Sequence, residues 1–140
     1  MSDFLHFENG FTPVLWITLT QKNGGSYHRF ASQVSQFIIE LSHATKVHLK
    51  IHRAGDRGHN LHEHIIVLVP DDELERFHQR KSKFVPWKHW RFRTLDFQDW
   101  NDDFGHGAFV YLNNHPDTYD TYIVCPKYYR QCRRSLCPHD

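Results

Sequence analysis

His62 and His64 stand one residue apart at the start of the run LHEHIIVLVP, residues 61–70. The run is apolar, rich in β-branched residues and closed by Pro70, so it reads as a buried strand. Side chains alternate along a strand, which puts both imidazoles on one face. Two imidazoles side by side on a rigid strand can ligate one divalent metal ion. A chain with 13 histidines also puts two in phase by chance, so the pair gains meaning from what else reaches that face.

Tyr111 is the second reactive group. Phe104, Ala108, Tyr111, Leu112 and His115 fall along one face of a helix that begins near Asn101 and stops before Pro116. That face packs on a sheet, and the ordinary outcome is a core tyrosine with a satisfied hydroxyl. Beside a bound cation the phenol has another use. It is protonated at neutral pH, its free pKa being near ~10. A divalent ion can polarise a phosphodiester so that the phenolic oxygen attacks it, leaving a covalent phosphotyrosine.

Between Arg80 and Arg93 lie six cations and no acid. Aromatic residues are interleaved with them. Arg80, Lys81, Lys83, Lys88, Trp90, Arg91 and Arg93 are candidate contacts to a single strand of nucleic acid, cations to phosphates and aromatics to bases. The alternative is a solvated strand edge with core aromatics. Cys125, Cys132, Cys137 and His139 have the residue types of a zinc site, but their spacing matches no common finger, and reduced thiols are the preferred reading.

The elements that must position these groups follow from periodicity. Residues 14–20 (VLWITLT) form a strand with Leu15, Ile17 and Leu19 on one face and Trp16, Thr18 and Thr20 on the other. Ser26 caps a helix over 27–44 with Phe30, Val34, Phe37, Ile38 and Leu41 as its buried stripe. Residues 46–53 alternate strictly, with Val47, Leu49 and Ile51 on one side and His48, Lys50 and His52 on the other. Residues 54–60, with Gly55 and Gly58, read as a hairpin loop. A hairpin symmetric about Asp56–Arg57 sets His52 near His62 and Lys50 near His64. Residues 71–84 form a helix with Leu74 and Phe77 inward, 89–97 a strand, and 121–126 a further strand; Phe4 to Phe7 reads as a short edge strand. Hairpins rather than repeated crossovers predict an α+β fold, a central antiparallel sheet of four to five strands with helices packed on it.

Composition bounds the rest. At 140 residues, 39% hydrophobic and 15% aromatic, the chain suits one packed domain. We place it at 1–126, with 127–140 a basic, cysteine-containing tail. A net charge of +1 supplies no global field for nucleic acid, so any basic surface is local. No apolar run reaches the ~18 residues of a membrane span, which predicts no membrane partner. Three cysteines, all after residue 124, point to a reducing, intracellular compartment.

Three stretches together resemble the HUH endonucleases, the nuclease domains of rolling-circle replication initiators of small single-stranded DNA viruses and plasmids. VLWITLT resembles their first motif, LHEHIIVLV their paired-histidine strand, and the helical YLNNHP their tyrosine motif. The resemblance spans roughly residues 14–116. It implies that His62 and His64 hold a manganese or magnesium ion, with a third ligand from the preceding strand, often a carboxylate; that strand offers His52 first and His48 second. It implies that Tyr111 attacks the scissile phosphate, leaving a 5′-phosphotyrosine and a free 3′-hydroxyl that can later rejoin the strand. The substrate would be single-stranded DNA at an origin or hairpin. The protein would act as a monomer, beside a helicase domain not found in this chain, in a host nucleus or a bacterial cytoplasm.

The chain departs from the family pattern twice. Glu63 stands between the histidines where a hydrophobic residue is usual; it points to the opposite face and must reach water or a cation there. The family's lysine after the tyrosine is absent, with Asn114 and His115 at those positions. His115, one turn beyond Tyr111, is the candidate for phosphate contact or proton transfer. Two other classes stay open: a single-tyrosine transposase of the same superfamily and a non-catalytic single-stranded nucleic-acid binder. A histidine-triad hydrolase needs a third alternating histidine, and Ile66 occupies that place.

Overall fold

A computed structural model describes residues 9–21, 25–56, 61–86 and 92–126. The expected strand at Phe4–Phe7, the hairpin tip, Lys88, Trp90, Arg91, the tail 127–140 with Cys132, Cys137 and His139, and the side chain of Phe104 lie outside the described residues.

Among the described residues the strands and α-helices run β1 (Phe11–Gln21), α1 (Tyr27–Thr45), β2 (Leu49–Asp56), β3 (His62–Pro70), α2 (Leu74–Arg80), β4 (Phe92–Asp99), α3 (Asp102–Asn113) and β5 (Asp120–Val124). The five strands form one sheet in the order β4-β1-β3-β2-β5, every neighbour antiparallel. In that order β1–α1–β2 brackets β3, and β3–α2–β4 brackets β1. These are two interleaved split βαβ units, with β5 added at the β2 edge. The expected α+β fold is the one observed, with five strands.

Alternation assigns the two faces. Leu15, Ile17, Leu19, Leu49, Ile51, Ile65, Val67 and Val69 are buried under the stripe Phe30, Val34, Phe37, Ile38 and Leu41 of α1 and Phe77 of α2. Phe37 is the hinge of this layer, meeting Phe84 and Phe92 edge to face at 5.1 and 5.7 Å. On the opposite face Ala54, Ile66 and Leu68 pack against Ala108 and Leu112 of α3. The histidine strand is therefore the middle of a three-layer arrangement, and α3 lies on its own face of the sheet. Among the described residues no helix is long and apolar enough to cross a membrane.

Caps explain the boundaries. The Ser26 hydroxyl accepts from the Arg29 N–H at 3.1 Å, starting α1 at the expected place. Lys46 takes a left-handed conformation, φ 57°, and its N–H returns to the Ser42 carbonyl, ending α1. β2 therefore begins at Leu49 rather than Lys46. The helix expected over 71–84 is broken into a 3₁₀ turn, the short α2 and a second 3₁₀ turn.

The hairpin register corrects the expected one. Asp56 lies opposite His62, Gly55 opposite Glu63, Ala54 opposite His64 and His52 opposite Ile66. The parity is as expected, but His52 pairs four residues further along β3 than the symmetric hairpin puts it. β2 continues through Ala54 and Gly55 instead of ending at Arg53. Gly55 permits this. A Cβ there would stand 2.3 Å from the His62 carbonyl oxygen and 2.6 Å from Glu63 Cγ. Gly55→Ala must push β3 away, and we expect it to cost about 1–3 kcal/mol or more, measured as a fall in urea midpoint with an unchanged slope.

Glu63 finds its cation on the α1 side of the sheet. Arg53 Nε and a terminal nitrogen donate to its two oxygens at 2.6 and 2.7 Å. The remaining guanidinium hydrogens reach Ser35 Oγ, the Tyr122 hydroxyl and the Ala31 carbonyl. Burial opposes the charge, yet Glu63 holds the guanidinium still more firmly protonated.

Candidate active site

The face of the sheet under α3 carries the candidate groups. Rows of even-numbered residues point there: Trp16, Thr18 and Thr20 from β1, Asp56 from β2, and His62 and His64 from β3. Thr18 lies opposite His64 and Thr20 opposite His62. α3 starts at Asn101, whose side chain caps the Asp103 N–H at 2.8 Å, and its buried Ala108 and Leu112 seat Tyr111 over the histidines.

The Tyr111 hydroxyl and His62 Nε2 share a hydrogen bond of 2.6 Å. Its ring lies 4.1 Å from the His64 ring, centroid to centroid, and 4.3 Å from His115, on which it stacks at 27°. The two imidazoles of β3 are 5.3 Å apart and nearly perpendicular. His64 stacks on Trp16 at 5.1 Å and hydrogen-bonds the Thr18 hydroxyl through Nδ1 at 3.0 Å. His115 donates from Nδ1 to the Tyr111 carbonyl at 2.9 Å, which leaves Nε2 as the lone-pair nitrogen of its neutral ring. The structure thus brings together His62, His64, Tyr111 and His115, all read from the sequence as site residues.

Burial, and then the neighbouring His62 and His115, push the His64 imidazole from 6.5 down to about 4. Burial, and then the Asp56 carboxylate, push the Tyr111 phenol up. At neutral pH His64 keeps its lone pair and Tyr111 keeps its proton. The folded His64 resists a proton that the unfolded chain accepts, so its contribution to stability is present above pH 6.5 and is lost as the pH falls from there to about 4. NMR titration of the chelator-treated protein should find one histidine ring protonating near pH 4, and it should vanish in His64→Gln.

Other candidates sit elsewhere. His52 lies roughly 13 Å along the strand from the place expected for it, and its Nδ1 hydrogen-bonds the Tyr119 hydroxyl at 2.6 Å. His48 is fully buried against Glu73, 3.0 Å from Nδ1, where it ties β2 to the turn after β3. Lys50 lies opposite Leu68 rather than His64. The position opposite His62 belongs to Asp56, an exposed carboxylate that the sequence reading left in the loop. Of the basic stretch, Arg80 donates to the Ala44 carbonyl of α1 and Lys81 pairs with Asp99 at 2.5 Å. Lys83 and Arg93 are exposed.

Among the described residues no three His, Cys, Asp or Glu side chains are grouped so as to hold a metal ion. The donor set nevertheless suits a divalent cation. It offers two neutral-capable imidazoles and a carboxylate on one face. Thr20 Oγ1, on the same face opposite His62, is buried without a hydrogen-bond partner among the described residues, a polar atom in want of a ligand or water. His62 and His64 would hold the ion, with Asp56 as the third donor in place of His52.

No protein-family model, no curated protein and no solved structure matches this chain.

Proposed function

We propose that this protein nicks and rejoins single-stranded DNA through a covalent 5′-phosphotyrosine on Tyr111, in a divalent-metal-dependent reaction that initiates rolling-circle replication. The observation that carries the reading is the Tyr111 hydroxyl 2.6 Å from His62 Nε2, above the paired imidazoles of β3. The three stretches that resemble the HUH endonucleases support it from the sequence side.

In this reading the Tyr111 oxygen bonds to the scissile phosphorus as the bond to the 3′-oxygen breaks. The upstream strand leaves with a 3′-hydroxyl, and the downstream strand stays on Tyr111 by its 5′-phosphate. A manganese or magnesium ion bound at His62, His64 and Asp56 would polarise the phosphodiester. His115 stacks on the tyrosine ring; in this reading its Nε2 takes the phenolic proton once His62 is engaged by the ion, and the departing 3′-oxygen receives that proton in turn. His115→Ala should slow cleavage by about 10²–10⁴-fold in single-turnover assays, and an unchanged rate removes the role.

The experiment is incubation with end-labelled single-stranded DNA and manganese, followed by denaturing electrophoresis. A label at the 3′ end should migrate with the protein, and a label at the 5′ end should appear on a free, shortened strand. A second reading, a non-catalytic single-stranded binder, is favoured by the absence of a three-donor group among the described residues. It gives retarded mobility in native gels and no adduct in denaturing ones.

A further inference from the structure

The nitrogen that His62 turns toward α3 is already engaged, by the group read as the nucleophile. The Tyr111 hydroxyl and His62 Nε2 lie 2.6 Å apart. An imidazole nitrogen has one outward site, which carries either a lone pair or a hydrogen. Whichever partner donates, the bond to Tyr111 uses that site. A metal–imidazole bond of ~2.1 Å needs the same one. We propose that Tyr111 and the divalent ion compete for His62 Nε2, so that the unloaded protein holds its nucleophile in check and loading frees it. The proposal rests on the metal-dependent reading of this site and concerns its regulation.

The surroundings fit a displaceable contact. His64 shares a 3.0 Å hydrogen bond with Thr18 through Nδ1, so Nε2 is the atom it keeps for an ion. The Tyr111 ring lies 4.1 Å from the His64 ring, and its hydroxyl reaches His62. The phenol therefore stands where the two imidazoles of β3 converge. It is not what fastens the helix. Ala108 and Leu112 anchor α3 in the core at 5% and 0% exposure, while Tyr111 is only partly buried against them. A change of side-chain torsion breaks the bond without unseating α3. His115 stacks on the other part of the ring, one helical turn on, and stays beside the phenol when His62 is taken.

The check is as strong as the bond that makes it. One net hydrogen bond corresponds to a factor of about 2–10 in a competing equilibrium. Linkage makes the effect reciprocal: whatever Tyr111 costs the ion in affinity, the ion costs the Tyr111–His62 contact. A phenol tied to His62 is not available to a phosphate, so a strand bound before loading is left uncut.

The test is manganese binding by the whole chain without DNA, read from the electron paramagnetic resonance signal of the free ion. Tyr111→Phe removes the competitor and should bind manganese about 2- to 10-fold more tightly than the wild type. His115→Ala keeps the hydroxyl and should bind as the wild type does. A second measurement needs no variant: nuclear Overhauser contacts between the Tyr111 and His64 rings, present in chelator, should weaken as magnesium saturates the site. Equal or weaker manganese binding by Tyr111→Phe overturns the proposal, and weaker binding makes the phenolic oxygen a ligand instead. Equal tightening in His115→Ala overturns it as well, since a loosened α3 would then be the cause. So do ring contacts that persist unchanged in magnesium, or no manganese bound by any of the proteins. Tighter binding by Tyr111→Phe in a protein whose wild type forms no DNA adduct sinks the nicking reading and leaves the competition standing. An adduct in the wild type with no gain in Tyr111→Phe does the reverse.

Discussion

Replacing Arg53 with alanine lowers the stability of the fold by about 3–5 kcal/mol, the usual consequence of stranding a buried charge. Glu63 is 1% exposed as a whole residue and takes its two hydrogen bonds from Arg53. Without the guanidinium its carboxylate has no other hydrogen-bonded cation among the described residues, and it must either take up a proton or drag β3 toward water. Arg53 also ties two further elements to its strand, α1 through Ala31 and Ser35 and β5 through Tyr122. Arg53→Lys should recover only part of the loss, because a point charge cannot repeat the fork. The double change Arg53→Met with Glu63→Leu should lose much less than Arg53→Ala, because neither charge is then left alone. Urea titrations of the variants, fitted with a common slope, measure these differences. A loss below about 1 kcal/mol for Arg53→Ala, the scale of an exposed pair, would mean that the pair is solvated in solution.

Tyr111→Phe should abolish the covalent adduct altogether while leaving the fold in place. The substitution removes one oxygen and keeps the ring that packs between His64 and His115. The stability change should be about 1 kcal/mol, the net worth of one hydrogen bond. The loss of activity is of another order, since no other atom of the side chain can attack phosphorus. Binding of single-stranded DNA in chelator should persist, which separates chemistry from recognition. A Tyr111→Phe protein that still cleaves at the wild-type rate makes water or another residue the nucleophile.

The two faces of the sheet were legible because they need only parity. Leu15, Ile17 and Leu19 on one side, with His62 and His64 on the other, follow from alternation alone. The α1 stripe and its Ser26 cap were legible because helical spacing and capping chemistry are local. The hairpin register was not. It depends on where the turn falls, and Gly55 looked like a turn residue when it is a strand residue kept small for Glu63 and the His62 carbonyl. That one misreading carried His52 to the site and left Asp56 out of it. Glu63's need for a cation was readable from its place between the histidines. Its partner was readable too, since Arg53 and Glu63 share odd parity on neighbouring strands. The start of β2 was misplaced at Lys46 because that residue takes a left-handed cap without being glycine. Tyr111 and His115 meeting at the histidines required the packing of α3 on the even face, which Ala108 and Leu112 suggested and the core bears out.

The most direct measurement is tandem mass spectrometry of the protein after reaction with single-stranded DNA and manganese, nuclease trimming and proteolysis. The expected spectrum assigns a nucleotide, joined through its 5′-phosphate, to the phenolic oxygen of Tyr111. A nucleotide found on any other side chain, or cleaved DNA with no modified peptide at all, contradicts a phenol poised over the paired imidazoles as the attacking group.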